Sequence, residues 1–346
     1  MKYFKGSLVF TVVCLCLAAI LGYHGTGTAA GALSIVFICI VLGILEVSLS
    51  FDNAVVNATV LTNMNDVWQH RFLTWGILIA VFGMRLLFPL VIVGFAAHLG
   101  PVSALLLAIK HPDQYTQILS GAHTGIMGFG GAFLAMVGLK YFLDGEKEVH
   151  WIAFIERQLS RLSKLEAIEI GIVLLVLFGM SRFLTESEAL TFLVSGIFGL
   201  IAFIIVEAIG TILEAPEETT VTVAKTGLSA FLYLEVMDAS FSFDGVIGAF
   251  ALSTNLFVIA LGLGIGAMFV RSLTIMLVKQ GTLSEYRYLE HGAFWAILAL
   301  AALMFISVHQ AVPEIITGFV GAGLIGLALF SSIRWNKFHP ELISKP

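Results

Sequence analysis

The chain has 346 residues, of which 59% are hydrophobic and only 12% are charged, and its mean hydropathy is +0.99. Soluble domains carry about 25% charged residues, so this composition excludes a protein with a large aqueous surface and indicates a polytopic membrane protein. The formal net charge is −5, and the sequence offers no basic face for nucleic acid. Three cysteines, Cys14, Cys16 and Cys39, lie in apolar runs, where we interpret them as packing residues rather than a metal or disulfide pair.

Ten apolar runs are long enough to cross a bilayer, since roughly 20 residues suffice for a helical span. They lie at about 7–23, 30–62, 72–97, 119–143, 168–184, 189–213, 222–252, 255–279, 289–309 and 313–333. The second and seventh are too long for one straight span and both contain carboxylates, which predicts broken helices. Segment 99–118 is interrupted, and we expect a re-entrant or interfacial piece there. We interpret the first run as a retained anchor rather than a cleaved signal peptide.

The distribution of Lys and Arg predicts the orientation of these spans. With the N-terminus in the cytoplasm, fourteen of the eighteen basic residues fall on the cytoplasmic side and two on the far side. The remaining two, Arg85 and Arg271, lie inside spans. Because loops rich in Lys and Arg stay in the cytoplasm, we expect a multi-pass protein of the bacterial inner membrane with both termini cytoplasmic.

The chain divides into three predicted parts. Residues 1–143 form a first membrane repeat with helices 1 to 4, residues 144–167 a cytoplasmic linker, and residues 168–346 the remaining helices with a second repeat. The apolar residues of the linker recur at helical spacing: Trp151, Phe154, Ile155, Leu159 and Leu162. Its charged residues occupy other faces: Glu156, Arg157, Arg161 and Lys164. This pattern predicts an amphipathic helix on the membrane surface, and we favour a connecting role over a partner-binding one.

Two acidic motifs indicate an internal repeat. Residues 46–55 read EVSLSFDNAV and residues 238–247 read DASFSFDGVI. Downstream of each, ILIAVFGMR (77–85) resembles LGIGAMFVR (263–271), and both end in an arginine inside a span. Five predicted spans separate the copies, and because five is odd the copies run in opposite directions. The sequence therefore predicts an inverted repeat of five plus five helices, a construction of secondary transporters that places the substrate near the bilayer midplane.

The spacing of the intramembrane carboxylates predicts where the helices break. A charge at the bilayer centre costs at least about 2.5–3.5 kcal/mol, so such residues are functional candidates. Glu46 and Asp52 are six residues apart and would lie about 240° from each other on an intact helix. They can share a site if the serine-rich segment between them is unwound. Gly245 and Gly248 permit a similar break in the second copy, which we therefore also expect.

Oxygen-rich anionic sites suit hard divalent cations such as Mg²⁺, Ca²⁺ and Mn²⁺. The predicted cation ligands are Glu46, Asp52, Asn53, Glu235, Asp238 and Asp244. The residues predicted to line the site are Ser48, Ser50, Asn57, Ser240, Ser242 and Met237. A thioether from Met237 would favour Mn²⁺, although packing is the commoner role of such a residue.

Several further groups have two interpretations each. Arg85 and Arg271 either balance the charge of the empty site or form structural ion pairs with the same carboxylates. His123 and His291 either couple transport to protons or cap the starts of helices. Glu207 either lines an exit path, where it could also carry protons, or reaches the interface.

The motif SFDNAVV, together with its second copy FSFDG, resembles the TerC/Alx family of integral membrane proteins. The longer pattern SFDNAVVNATVL, FLTWGILIAVFGMRLLFPL and GFGGAFLAMVGLKYF is similar to a bacterial relative of that family catalogued as a domain of unknown function. The resemblance covers roughly residues 35–335. It implies export of manganese or another divalent metal, a link to tellurium resistance and a relation to the LysE superfamily of exporters. It also implies that the acidic residues at 46, 52, 238 and 244 carry the metal. The chain departs from a typical TerC pattern in its ten predicted spans and in Glu235.

The sequence thus predicts a secondary transporter and not an enzyme, with no cofactor. Its partners would be the bilayer and the exported cation, Mn²⁺ favoured over Ca²⁺ and Mg²⁺. A competing hypothesis is an intramembrane aspartyl protease using Asp52 and Asp244, but the Gly-x-Gly-Asp and His-Glu-x-x-His signatures of membrane proteases are absent from the sequence. Three more hypotheses are transport of another small solute, a membrane stress-response scaffold and a purely structural polar cluster.

Overall fold

A computed structural model describes residues 2–62, 64–145, 147, 149–162, 167–213, 220–253, 255–310 and 312–339. Within these ranges the chain forms helices and no strands, which confirms the predicted all-α class. In the N-terminal third, the helices are α1 (Lys5–Thr26), α2 (Ala29–Leu49), α3 (Phe51–Thr62), α4 (Asp66–Leu78), a π-helical segment (Ile79–Leu87), α5 (Phe88–Ala96), α6 (Pro101–Lys110) and α7 (Pro112–Gly121).

The remaining helices begin with a long and deeply buried one. They are α8 (His123–Leu143), α9 (Ala153–Leu162), α10 (Ile168–Ser181), α11 (Glu186–Leu213), α12 (Thr220–Leu252), α13 (Leu256–Gln280), α14 (Thr282–Glu285), α15 (Leu289–Ser307) and α16 (Glu314–Phe338). Most of the long ones coincide with the predicted spans to within a few residues.

Seven helices of the described ranges are long and apolar enough to cross a membrane: α1, α2, α8, α13, α15, Glu186–Ile209 of α11 and Ile316–Phe338 of α16. Phe82–Ala96 and Pro101–Lys110 form a pair bent by 102°, a broken span or a re-entrant loop, which gives up to eight spans among these residues. The chain is therefore a multi-pass membrane protein. Ten spans, the inverted repeat and the orientation stay predictions.

The predicted interruption of the second span lies at Ser50. Its backbone leaves the α-helical region with φ −104° and ψ 18°, so that α2 ends at Leu49 and α3 begins at Phe51. Two serine hydroxyls bond locally there: Ser48 Oγ donates to the Ile44 carbonyl and Ser50 Oγ to the Glu46 carboxylate, both at 2.8 Å. The Ser48 bond to a backbone carbonyl is of a kind that loosens a helix slightly, and both bonds lie where α2 ends and α3 begins.

The predicted break in the second motif is wrong. Helix α12 runs without interruption through Asp238, Asp244 and Gly245 to Leu252. Gly245 and Gly248 permit a break but do not force one, because glycine costs a helix only about 1 kcal/mol relative to alanine. The two copies of the motif therefore differ in backbone structure.

The helices form two compact units. The first comprises Met1–Ser50, Asp66–His123 and Phe241–Met276. In it, α1 packs on α2, and Cys14 and Cys39 are buried in an apolar cluster with Val258 and Ile265. These two cysteines are free and buried, as expected of packing residues, whereas Cys16 is exposed and does not fit that interpretation.

The second unit comprises Phe51–Asn65, Thr124–Ser240 and Leu277–Pro346. Its core is α8, in which nearly every residue from Met127 to Gly138 is buried. Gly199 of α11 lies against the Phe129 carbonyl so closely that any side chain at this position would collide with the α8 backbone. Helix α3 packs on α15 and α16, which places the second half of the first motif in this unit.

Candidate functional site

Glu46 forms a buried ion pair in the first unit. The residue lies in the last turn of α2 and is 1% exposed. Its Oε1 atom accepts a hydrogen bond from Ser50 Oγ and pairs with Nη2 of Arg85, which is also buried. Arg85 comes from the π-helical segment Ile79–Leu87, a rare conformation that is frequent at functional sites. The charge of the Glu46 carboxylate is therefore balanced by Arg85, which comes from a different helical segment.

Two glycines bring the second motif and α13 close to Glu46. A side chain at Gly266 of α13 would collide with the Glu46 side chain, and a Cβ atom at Gly245 of α12 would lie 3.1 Å from Glu46 Oε2. Gly245 directly follows Asp244 in the chain. Within the first unit, Glu46 thus lies beside the end of the second acidic motif, although the side chain of Asp244 is outside the described part. Arg271 lies half-buried on α13.

Asn53 and Asp238 join the two motifs in the second unit. Asn53 lies in the first turn of α3 and donates a hydrogen bond from Nδ2 to Oδ1 of Asp238 on α12. The contact links residues 185 positions apart. Both side chains carry oxygen atoms of the kind that hard cations prefer. This contact therefore brings predicted ligands from the two motifs together.

In the part of the chain that the structure describes, two buried side chains close in sequence to this contact have oxygen atoms without hydrogen bonds. Glu235, one turn before Asp238, is 9% exposed, and neither carboxylate oxygen has a partner among the described residues. The same holds, in that part of the chain, for Oδ1 of Asn57, one turn after Asn53. An unpaired polar atom in an apolar interior costs about 1–3 kcal/mol, and a charged one more. Such atoms fit a cation ligand set.

The other predicted residues take varied positions. Ser48 and Ser240 donate their hydroxyls to the helix backbone, Ser48 to Ile44 and Ser240 to Val236. Met237 is fully buried. The side chains of Asp52, Ser242 and Asp244 lie outside the described set. Among the side chains that are described, no group of three His, Cys, Asp or Glu residues could hold a metal ion.

The predicted proton-coupling residues lie on three helices: Glu207 on α11, His123 on α8 and His291 on α15. Glu207 of α11 forms an ion pair with Lys140 of α8, and both are partly exposed. His123 is the first residue of α8. His291 is 3% exposed near the start of α15, where Nε2 lies 2.8 Å from the Val149 carbonyl.

The surroundings of His291 contain a buried carboxylate that the sequence pattern places on an outer polar face. Glu156 of α9 is 1% exposed and lies 3.6 Å from His291 Nε2. It accepts hydrogen bonds from the backbone N–H groups of Trp151 and Ile152 and from the indole N–H of Trp295, all at 3.0–3.1 Å. The sequence pattern predicts that Glu156 faces outward, whereas its contact with α15 turns it inward. No pattern in the neighbouring sequence indicates this burial.

Lys147 adds an ammonium group to the same cluster. Burial lowers the pKa of its ammonium to about 8, although Glu156, Glu290 and Asp144 act in the opposite direction. The ammonium lies over the ring of Tyr141, whose hydroxyl is 3.3 Å from His291 Nδ1. The segment before α9 is thus fastened to α8 and α15 by buried polar groups.

Replacing Glu156 with alanine should release α9 from α15. The change leaves two backbone donors and the Trp295 indole without their acceptor, at about 1–3 kcal/mol for each group that stays buried. We expect trypsin to cleave after Arg157 and Arg161 at least tenfold faster than in the unmodified protein. Glu186→Ala, at an exposed acid of α11, is the matched control, and equal cleavage of the two variants would contradict the role of Glu156.

Comparison with known proteins places the chain in a family. No curated protein and no solved structure matches it. Residues 51–339 match a family model described as a protein of unknown function (DUF475). This range includes α3, α12 and α15, hence both members of the Asn53–Asp238 contact and the linker cluster. The match covers most of the chain, which therefore belongs to the DUF475 family.

Proposed function

We propose that this protein is a secondary transporter that exports a divalent metal cation through its intramembrane carboxylates. Composition and helix lengths support a multi-pass membrane protein. The further step, to cation transport, comes from the chemistry of the acidic residues within the spans.

The observation that carries the proposal is the set of oxygen atoms on α3 and α12. Asp238 binds Asn53 across the two helices, while Glu235 and Asn57 are buried with oxygens that lack hydrogen bonds among the described residues. Buried carboxylates are retained in membranes when they pair with something, and a cation is a partner that satisfies several oxygens at once. In the proposal Glu235 and Asp238 bind the cation, Asn53 and Asn57 add amide oxygens, and Asp52 completes the set.

The choice of ion rests on the resemblance of SFDNAVV to the TerC/Alx family, which favours Mn²⁺. An all-oxygen set also suits Ca²⁺ and Mg²⁺. Oxyanion transport is disfavoured, because the acidic residues of the motif would repel an anion. A stress-related phenotype such as tellurium resistance would be a consequence of altered metal balance in this proposal.

Export requires alternating access of the site to the two sides. In repeat transporters one helix bundle rocks against the other around a fixed site. Moving a cation out against an inside-negative potential costs about 2.3 kcal/mol per charge per 100 mV. Carboxylates that exchange a metal for protons would supply a coupling route.

Metal flux into proteoliposomes tests the proposal. We expect the unmodified protein to transport at least one of Mn²⁺, Ca²⁺ and Mg²⁺, with Mn²⁺ fastest. Asp52→Asn removes one charge at nearly constant volume and should lower this flux at least tenfold, as expected for a weakened metal site. Exposed Glu186→Gln is the matched control and should not change it. Absence of flux for all three ions would contradict the transporter proposal.

A further inference from the structure

Helix α9 is oriented opposite to an ordinary surface helix. Its acid, Glu156, is buried with three hydrogen-bond donors around it, whereas Phe154 is 83% exposed. Ile155 and Leu162 are also exposed. A soluble protein would turn the carboxylate outward and the phenylalanine inward. The contacts of Glu156 therefore fix an apolar face of α9 in the outward direction.

Basic residues flank this apolar face. Phe154, Gln158 and Leu162 follow one another at intervals of four, so they lie along one line of the helix. Arg157 and Arg161 occupy the adjacent line, and both are exposed. Since the acid of α9 is buried, the charges that the helix presents outward are positive.

We propose that the outward face of α9 binds the surface of the bilayer and selects anionic phospholipid headgroups. The apolar side chains enter the boundary between headgroups and acyl chains, and the two guanidinium groups bind phosphate. Interfacial helices combine an exposed apolar face and a basic margin in this way. Because α9 connects α8 to α10, and α8 is long and apolar enough to span, the helix is within reach of the headgroup layer. The proposal does not depend on metal transport.

A fluorophore on the apolar face tests this binding in the full chain. Cys14, Cys16 and Cys39 are replaced by alanine, and a bimane label is attached at Phe154→Cys in nanodiscs that contain one protein copy. Brominated phosphatidylglycerol and brominated phosphatidylcholine then serve as quenchers in the bilayer. We expect both lipids to quench the label, with a clear preference for phosphatidylglycerol. An arginine near an anionic surface contributes about fivefold, so Arg157→Gln with Arg161→Gln should largely remove the preference.

Three controls show whether the lipid preference comes from the charge of the arginines, whether it is specific to position 154, and whether the labelled protein is folded. The double variant Arg157→Lys, Arg161→Lys keeps the charge and should retain most of the preference. A label at Phe198→Cys, exposed on the spanning helix α11, should be quenched alike by both lipids in every variant. Unchanged thermal unfolding of the labelled protein confirms that the cysteine replacements are tolerated.

Three outcomes would overturn the proposal. One is a label at position 154 that neither lipid quenches, which places the face in water. Another is equal quenching by the two lipids both before and after the arginine replacements, which would show that the face does not select anionic headgroups. The third is a preference for phosphatidylglycerol that survives Arg157→Gln with Arg161→Gln, which assigns the headgroup selectivity to residues other than these two arginines.

Discussion

Replacing Arg85 with alanine is expected to lower the free energy of unfolding by about 3–5 kcal/mol, the cost of leaving a buried charge without its partner. Glu46 is 1% exposed and Arg85 is 4% exposed, so water cannot replace the lost guanidinium without opening the structure. Equilibrium unfolding in mixed detergent micelles measures the change.

Two matched variants isolate the ion pair. Arg71→Ala removes an exposed arginine whose guanidinium lies over Trp68, and it should cost less than about 1 kcal/mol. Removing both charges, with Glu46→Gln and Arg85→Met, should restore most of the stability lost in Arg85→Ala, because no buried charge is left unpaired. If Arg85→Ala costs no more than Arg71→Ala, the buried pair does not stabilise the first unit.

Asp238→Asn is expected to reduce cation flux about 100-fold or more, on the scale of lost metal ligands and their supporting contacts. The substitution tests charge rather than folding, because an asparagine side chain can still accept the Asn53 hydrogen bond through its amide oxygen. The measurement is initial Mn²⁺ uptake into proteoliposomes at matched protein density.

Ser240→Ala is the control on the same helix. The Ser240 hydroxyl donates to the Val236 carbonyl, so its removal should leave flux nearly unchanged. Glu235→Gln should fall between the two variants if Glu235 is a ligand, since an amide oxygen keeps part of the interaction without the charge. Equal flux in Asp238→Asn and Ser240→Ala would remove Asp238 from the transport site.

Hydropathy was sufficient to locate most helices in this chain. The runs predicted at 119–143, 255–279 and 289–309 correspond to α8, α13 and α15, because a long apolar segment has few options besides a helix in a bilayer. The break inside EVSLSFDNAV was also predicted, on the argument that Glu46 and Asp52 could share a site only if the helix between them were interrupted; that they share a site stays a prediction. Its position at Ser50 coincides with the local hydrogen bonds of Ser48 and Ser50.

Several features of the structure could not be predicted from the sequence, and two of them depend on contacts between residues far apart in the chain. Helix α12 stays continuous through Gly245, and no local signal in the sequence distinguishes a glycine within a helix from a glycine at a break. Burial of Glu156 depends on Trp295 of α15, 139 residues away. The hydrogen bond between Asn53 and Asp238 likewise joins residues that are 185 positions apart. The spacing of the two motifs could suggest this contact but could not establish it.

Binding of Mn²⁺ to the purified protein, followed by electron paramagnetic resonance, is the most direct test of a cation site within the membrane helices. Free Mn²⁺ gives a six-line signal that disappears on binding, so a titration yields both affinity and number of sites. We predict saturable binding by the unmodified protein, retained in Ser240→Ala and weakened about 100-fold or more in Asp238→Asn. Absence of saturable binding, or equal affinity in the unmodified protein and Asp238→Asn, would contradict a cation site built on Asp238.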